Sequence, residues 1–237
     1  MVMALAFRPV SPPSPTLPHP APRSAYITFN KLTTVSFTYH LLRYTWTSSA
    51  IAWDAESFSW GATLLAWALF HIVYDFFYTL FHLALHIPAL YPYIHKHHHR
   101  QINPSRGNMD AVNVHPVEFV LGEYNHILAV FLVANLAPVQ CHAVAVLLFL
   151  VVGGVLASLN HTRFDIRVPG FFMVRSHDVH HQKFRFNFGQ YIMLWDRVFG
   201  TFRDHTNKVL PAGTTLEKAK AHQKKMQQEA RTAKKAQ

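Results

Sequence analysis

Ala62-Thr-Leu-Leu-Ala-Trp-Ala-Leu-Phe-His71-Ile-Val-Tyr-Asp75-Phe-Phe-Tyr-Thr-Leu-Phe81 runs without interruption into His82-Leu-Ala-Leu-His86. The first 20 residues are apolar except for His71, Asp75 and two threonines. As a helix rising about 1.5 Å per residue they cover roughly 30 Å, the thickness of a bilayer's hydrocarbon core. The stretch therefore predicts a membrane helix whose end presents two imidazoles one turn apart. His71, Asp75, Tyr78, His82 and His86 fall at offsets 0, 4, 7, 11 and 15, within one narrow stripe. A polar stripe on a membrane helix faces protein or a cavity and points to function. Asp75 has two readings: a partner for the ring N–H of a metal-binding histidine, or a buried structural hydrogen bond.

Two more apolar runs follow. Phe119–Leu136 has 18 residues, weakened near its start by Glu123, Asn125 and His126, and Ala143–Leu159 has 17 with no charge. Six residues, Ala137–His142, join them, with Pro138 as helix breaker. The pair reads as a helical hairpin that crosses and returns, or dips in and out; either way the chain comes back to the side it left. Tyr26–Trp46 is interrupted by Lys31, His40 and Arg43, and reads as a poor first membrane helix or an interfacial one. There is no strand-like alternation and no fixed repeat. The expected fold is all-α: an integral membrane helical bundle of three to four spanning or re-entrant helices with a cytosolic histidine-rich cap. The organisation expected is a disordered leader over 1–25, a membrane domain over 26–215 and a basic tail over 216–237.

Composition agrees. Half of the 237 residues are hydrophobic and 14% are charged, where a soluble domain has about a quarter charged. The formal charge is +10, but it lies in loops and a tail beside apolar spans, and no nucleic-acid motif interrupts them. The expected partner is the bilayer, with Lys and Arg marking the cytoplasmic face. Cys141 is the only cysteine, which excludes intrachain disulfides and cysteine-rich zinc sites; in its apolar turn it reads as structural.

Three histidine clusters carry the chemistry: His82-x3-His86, His95-Lys-His-His98-His99 and His177-Asp-Val-His180-His181. The last two both contain H-x-x-H-H. The hairpin between them returns the chain to one membrane face, where the first cluster also lies, so all eight imidazoles can converge. One metal takes three or four protein ligands, so eight imply two metals. Imidazole suits iron, copper, zinc or nickel over magnesium or calcium, and spacing does not choose among the four. His97 is left over, because the second pattern is complete without it.

From about Asp75 to Arg203 the chain resembles the fatty acid hydroxylase/sterol desaturase superfamily. The resemblance rests on the three boxes in order and on His115-Pro-Val-Glu118, Asn160-His-Thr-Arg-Phe-Asp165, Asn187-Phe-Gly-Gln-Tyr191 and Trp195-Asp-Arg-Val-Phe-Gly-Thr201. Phe188 stands where members usually carry Tyr. Membership implies a non-haem centre of two iron ions, O2 as cosubstrate, and electrons from NAD(P)H, often through cytochrome b5. It also implies an endoplasmic-reticulum enzyme that hydroxylates or desaturates a lipid, a sterol or a fatty acyl chain. Carried over, the ligands are the eight box histidines plus His161. His115, Asp75, Asp178 and Asn187 are further candidates, as ligands or as partners of ligands. The electron donor is expected to be a separate protein.

Other readings stay open: a carotenoid or sphingolipid hydroxylase of the same superfamily, or a membrane metal-binding or transport protein. For location, the acid-poor start resembles an organelle transit peptide, with the plastid as the alternative address, or is a plain flexible leader. Lys234 and Lys235 resemble a di-lysine signal that retrieves membrane proteins to the endoplasmic reticulum.

Overall fold

Tyr26–Trp46, ambiguous as sequence, lies within one helix, α1 (Ser24–Thr47), in the computed structural model, which describes residues 24–205 and the isolated position 221. Lys31 and Arg43 interrupt its apolar character. Its outward side nevertheless carries Leu32, Val35, Tyr39, Leu42 and Trp46, all exposed. That spacing makes one apolar stripe, while Phe37 and Leu41 on the other side are buried. The leader up to residue 23 and the basic tail with its di-lysine pair lie outside the described residues.

α2 (Trp60–Leu85) is the run that ends in the first histidine pair, and at 26 residues it exceeds the expected span at both ends. His82 therefore sits inside the helix and His86 caps it. After a single turn, α3 (Asn108–Ala111), comes α4 (Pro116–Leu136), which starts three residues before the expected Phe119. The reason is local. Pro116 has the backbone angle and lacks the N–H that a first turn wants, and the His115 ring accepts from Val117 N at 3.2 Å. α5 (Ala143–Leu159) keeps its expected bounds. α2 and α4 are long and apolar enough to cross a membrane; α5 is shorter. The chain is a helical membrane bundle.

α2 is central, packing on α4 and α5, and α1 leans on α4. Phe70, Tyr74, Val130, Val146 and Phe149 fill the space between them. At one end two short strands, β1 (Ile51–Ala52) and β2 (Cys141–His142), pair in parallel and join the loops, with Cys141 buried among the core residues. These two-residue ladders are strand structure that sequence alternation cannot reveal. Trp46, Trp53 and Trp60 are exposed near this end, as aromatic residues are at a membrane interface. From Trp60 to His82 is 22 residues of α2, about 33 Å, so the histidines lie at the opposite interface.

There the cap is built from a hairpin, β3 (Arg167–Val168) with β4 (Phe172–Met173), then α6 (Val174–Lys183) and α7 (Leu194–Val198). Asp75 ties the cap to the bundle. Its carboxylate accepts from the backbone N–H of Gln190 and Tyr191, each at 3.1 Å, and of Ile192. Among the described residues its hydrogen bonds come from backbone N–H groups and none from an imidazole.

Asp75→Ala leaves three N–H groups, those of Tyr191 and Ile192 buried, without an acceptor. It should lower stability in detergent by about 3 kcal/mol or more, measured by thermal unfolding. Asp75→Asn retains one acceptor oxygen and should lose clearly less; equal losses would contradict this assignment.

Candidate metal centre

The histidines come from five segments. His82 and His86 stand one turn apart at the end of α2. His95 closes a π-helical turn, Tyr91–His95, and His98 and His99 lie on the 3-10 turn that follows. His161 comes just after α5. His177, His180 and His181 share one face of α6, where i, i+3 and i+4 meet. The first and third clusters touch, with the rings of His82 and His180 4.3 Å apart.

Nine imidazoles divide into two groups: His82, His86, His95, His99 and His180, then His98, His161, His177 and His181. Within each group the candidate ligand atoms lie within 4.8 Å of one another. The groups adjoin, His99 and His181 having ring centres 4.8 Å apart. Each H-x-x-H-H box is shared between them. His95 and His99 serve the first group while His98 serves the second; His177 and His181 serve the second while His180 serves the first.

Hydrogen bonding decides which nitrogen of each ring faces inward. Nδ1 of His82 donates to Phe188 O at 2.8 Å, of His161 to Ala157 O at 2.9 Å, of His180 to Phe186 O at 2.9 Å and of His181 to Gln101 O at 2.7 Å. A carbonyl oxygen only accepts, so Nδ1 carries the proton in all four. His95 Nδ1 faces Glu118 Oε1 at 2.9 Å, and donates to it when that carboxyl is ionised. Burial holds His180 and His181 well below the usual histidine range and pushes His95 down to about 3, so the rings are neutral and Nε2 is a bare lone pair. Yet Nε2 of His82 and His95 are 3.0 Å apart. His99 Nε2 lies 2.9 Å from that of His95 and 3.1 Å from that of His180. In the second group His177 Nε2 is 2.9 Å from His181 Nε2 and 3.2 Å from His161 Nε2.

Without a metal, His99 and His177 can donate from Nε2 to these neighbours, since neither Nδ1 is tied to a carbonyl among the described residues; a cation at the same point would take up the inward lone pairs together. His86 Nε2 and His99 Nδ1 are also buried with no hydrogen-bond partner. The donor set thus fits a pair of transition-metal ions, the ligands backed by carbonyls and a carboxylate that fix their tautomers.

The other candidates stand around the centre. Asp178 holds Arg163 at 2.7 and 2.8 Å; burial pushes its carboxyl up to about 6 and Arg163 opposes that rise. Asn187, in the left-handed region at φ 57°, donates to Ser176 O and Arg203 O at 3.0 and 2.9 Å and accepts from Arg203 N at 2.8 Å. His115 is the α4 cap and belongs to neither group. His97 lies outside both, its Nε2 3.0 Å from Asn113 Oδ1. Glu118 carried no role in the sequence reading. Its signal was there, a carboxylate in the first turn of an apolar helix within His115-Pro-Val-Glu118. Asp196 was also passed over. It accepts from the N–H of Phe188 and Gly189, each at 2.8 Å, and so holds the loop whose carbonyl orients His82.

The model of the fatty acid hydroxylase family matches residues 67–201. Similar curated proteins include methylsterol monooxygenase 1 of Gallus gallus, 32% identical over 55% of this chain and 43% of that one. Delta(7)-sterol 5(6)-desaturase of Eremothecium gossypii is 31% identical over 64% of this chain and 42% of its own. Cholesterol 25-hydroxylase of Rattus norvegicus is 33% identical over 56% and 45%. The matches thus span less than half the length of these relatives. No solved structure matches the chain.

Loaded anaerobically with ferrous iron, the protein should hold about two ions per chain. His82→Ala/His95→Ala and His98→Ala/His177→Ala should each lose about one, and His97→Ala none, read by metal analysis after desalting. Loss of both ions from either double variant would mean the groups are not separable sites.

Proposed function

The chain belongs to the fatty acid hydroxylase family, and on that premise we propose that it is an integral membrane enzyme oxidising a C–H bond of a lipid with O2. The observation that carries this reading is a cavity of about 210 Å³ among α1, α2, α4 and α5. Its walls include Phe37, Tyr74, Phe119 and Leu150, and one end is lined by His98, His161 and His177 of the four-histidine group. A largely apolar cavity with a few polar groups at a metal-ligand cluster is the arrangement a lipid substrate needs. The three relatives are, by name, two sterol-oxidising enzymes and a cholesterol hydroxylase, which makes a sterol the favoured lipid and a fatty acyl chain the alternative.

In this reading His82, His86, His95, His99 and His180 hold one iron ion and His98, His161, His177 and His181 the other. The metals, when bound, supply O2 activation. The chain's own residues do the rest. Nδ1 contacts with carbonyls aim His82, His161, His180 and His181, and Glu118 backs His95. The apolar walls orient the hydrocarbon beside the four-histidine group and keep water away. Hydroxylation balances as R–H + O2 + 2 electrons + 2 protons giving R–OH and water; desaturation removes two hydrogens and gives two waters. Relatives of both kinds match, so product analysis decides between them.

The electrons come from NAD(P)H through a separate donor, with cytochrome b5 as the carrier the family implies. A second, open recess beside His86, edged by Tyr91, Lys96 and Arg185, leads to the five-histidine group. The endoplasmic-reticulum membrane is the proposed location, with the histidine cap in the cytosol.

Gly154 lines the cavity, and a Cβ added there meets no atom within 4 Å. Gly154→Leu should therefore fit the helix, fill the cavity and cut O2-dependent turnover about tenfold or more with iron content unchanged. His98→Ala and His180→Ala should abolish turnover with the protein still inserted. Lipid and sterol profiling of cells with and without the chain reads all three. Unchanged profiles with an iron-loaded, correctly inserted protein would refute the proposal.

A further inference from the structure

Away from the histidines the cavity is polar where an apolar wall would serve a hydrocarbon better. Thr34 of α1 and Glu123 of α4 both line it, with Thr34 Oγ1 2.6 Å from Glu123 Oε1. The same hydroxyl lies 3.1 Å from Asn30 O, and one proton cannot serve both. If Thr34 donates to Glu123, the acid accepts at Oε1. If Thr34 donates to Asn30 O, the proton between Thr34 and Glu123 is the acid's own. With the carboxyl ionised, or with its proton on Oε1, Glu123 Oε2 remains an acceptor.

That oxygen is buried and has no hydrogen-bond partner among the described residues. None of the salt bridges among the described residues involves Glu123. No donor among the described residues lies within hydrogen-bond distance of it. His126 Nδ1 donates to the Glu123 carbonyl at 2.9 Å, so its Nε2 accepts from Tyr191 OH at 3.0 Å. A buried acceptor without a partner costs about 1–3 kcal/mol, and a carboxyl group inside a membrane helix points to a ligand or a path.

We propose that this end of the cavity is a hydroxyl-binding subsite, in which Glu123 Oε2 accepts from an alcohol group of the lipid substrate. The proposal rests on the lipid-oxidation reading and adds the substrate class: an apolar molecule bearing a free hydroxyl, not a bare hydrocarbon or an ester. Glu123 lies five residues beyond Glu118 on α4, roughly 7.5 Å along the helix, and Glu118 marks the level of the metal centre through His95. A hydroxyl held at Glu123 thus fixes which carbon, several bonds away, rests beside His98, His161 and His177. Glu123 is a specificity residue and takes no part in the oxidation.

The test uses the full, iron-loaded chain in nanodiscs. Binding of cholesterol is compared with that of its 3-O-methyl ether, and binding of hexadecanol with that of hexadecyl methyl ether. Wild type should favour the free alcohol about tenfold or more in at least one pair; the pair that responds tells a ring alcohol from a chain alcohol. Glu123→Leu should erase the preference while Glu123→Gln, which keeps an acceptor oxygen, retains part of it. Equal binding of alcohol and ether by wild type, or an intact preference in Glu123→Leu, overturns the subsite. Iron content and O2-dependent turnover are read on the same samples. Turnover without a preference defeats the subsite alone; a preference with no turnover of either alcohol under reducing conditions supports the subsite and counts against the oxidation reading.

Discussion

Between His82, whose ring proton is committed to Phe188 O, and His95, whose Nδ1 is set against Glu118, two imidazole nitrogens face each other across 3.0 Å. The rest of the structure serves to hold that arrangement and its counterparts. Left to itself a neutral imidazole would turn or exchange tautomer to make a hydrogen bond. Here four of the rings cannot, because backbone carbonyls of Gln101, Ala157, Phe186 and Phe188 take up Nδ1. Those carbonyls belong to loops, and the loops are themselves held. Asp196 fixes the N–H groups of Phe188 and Gly189, Asn187 ties its turn to Ser176 and Arg203, and Asp75 fixes Gln190 to Ile192.

The membrane part and the cap are therefore one mechanical unit. Polar groups that weaken the helices as bilayer spans are spent on contacts between elements. Asp75 reaches the cap loop, Asn125 donates to Tyr74 O at 2.9 Å, and His126 meets Tyr191. Asn30 near the start of α1 donates to Val112 O and Val114 O at 2.8 and 3.0 Å, which brings the loop before α4 under the same control. Such bonds are costly to leave unmade in a low-dielectric setting, so they fix register between helices that apolar packing alone would let slide.

Much of this was legible in the sequence because it depends on spacing. The i, i+4 pair, the two H-x-x-H-H boxes and the lengths of the apolar runs follow from helix geometry, and the helical hairpin returned the chain to one face by parity alone. What was illegible depends on pairing across distance. No spacing rule says that His98 leaves its box neighbours to join His161, since the split arises from how two short turns meet α6. Tyr26–Trp46 was ambiguous because hydropathy averages Lys31 and Arg43 into the window, whereas the fold uses the face between them. His115 drew attention as a histidine and became a helix cap, while Glu118, three residues on, supports a ligand. Asp75 likewise answers to backbone N–H groups from a loop more than a hundred residues away, which no local pattern records.

Mössbauer spectroscopy of the protein loaded anaerobically with ferrous 57Fe tests the central claim most directly, because it reads ligand environment without needing a substrate. A five-histidine group beside a four-histidine group predicts two high-spin ferrous signals of about equal area with different quadrupole splittings, both consistent with nitrogen-rich coordination. A single site holding about one iron per chain, or spectra matching iron held loosely by water and carboxylates, would contradict it.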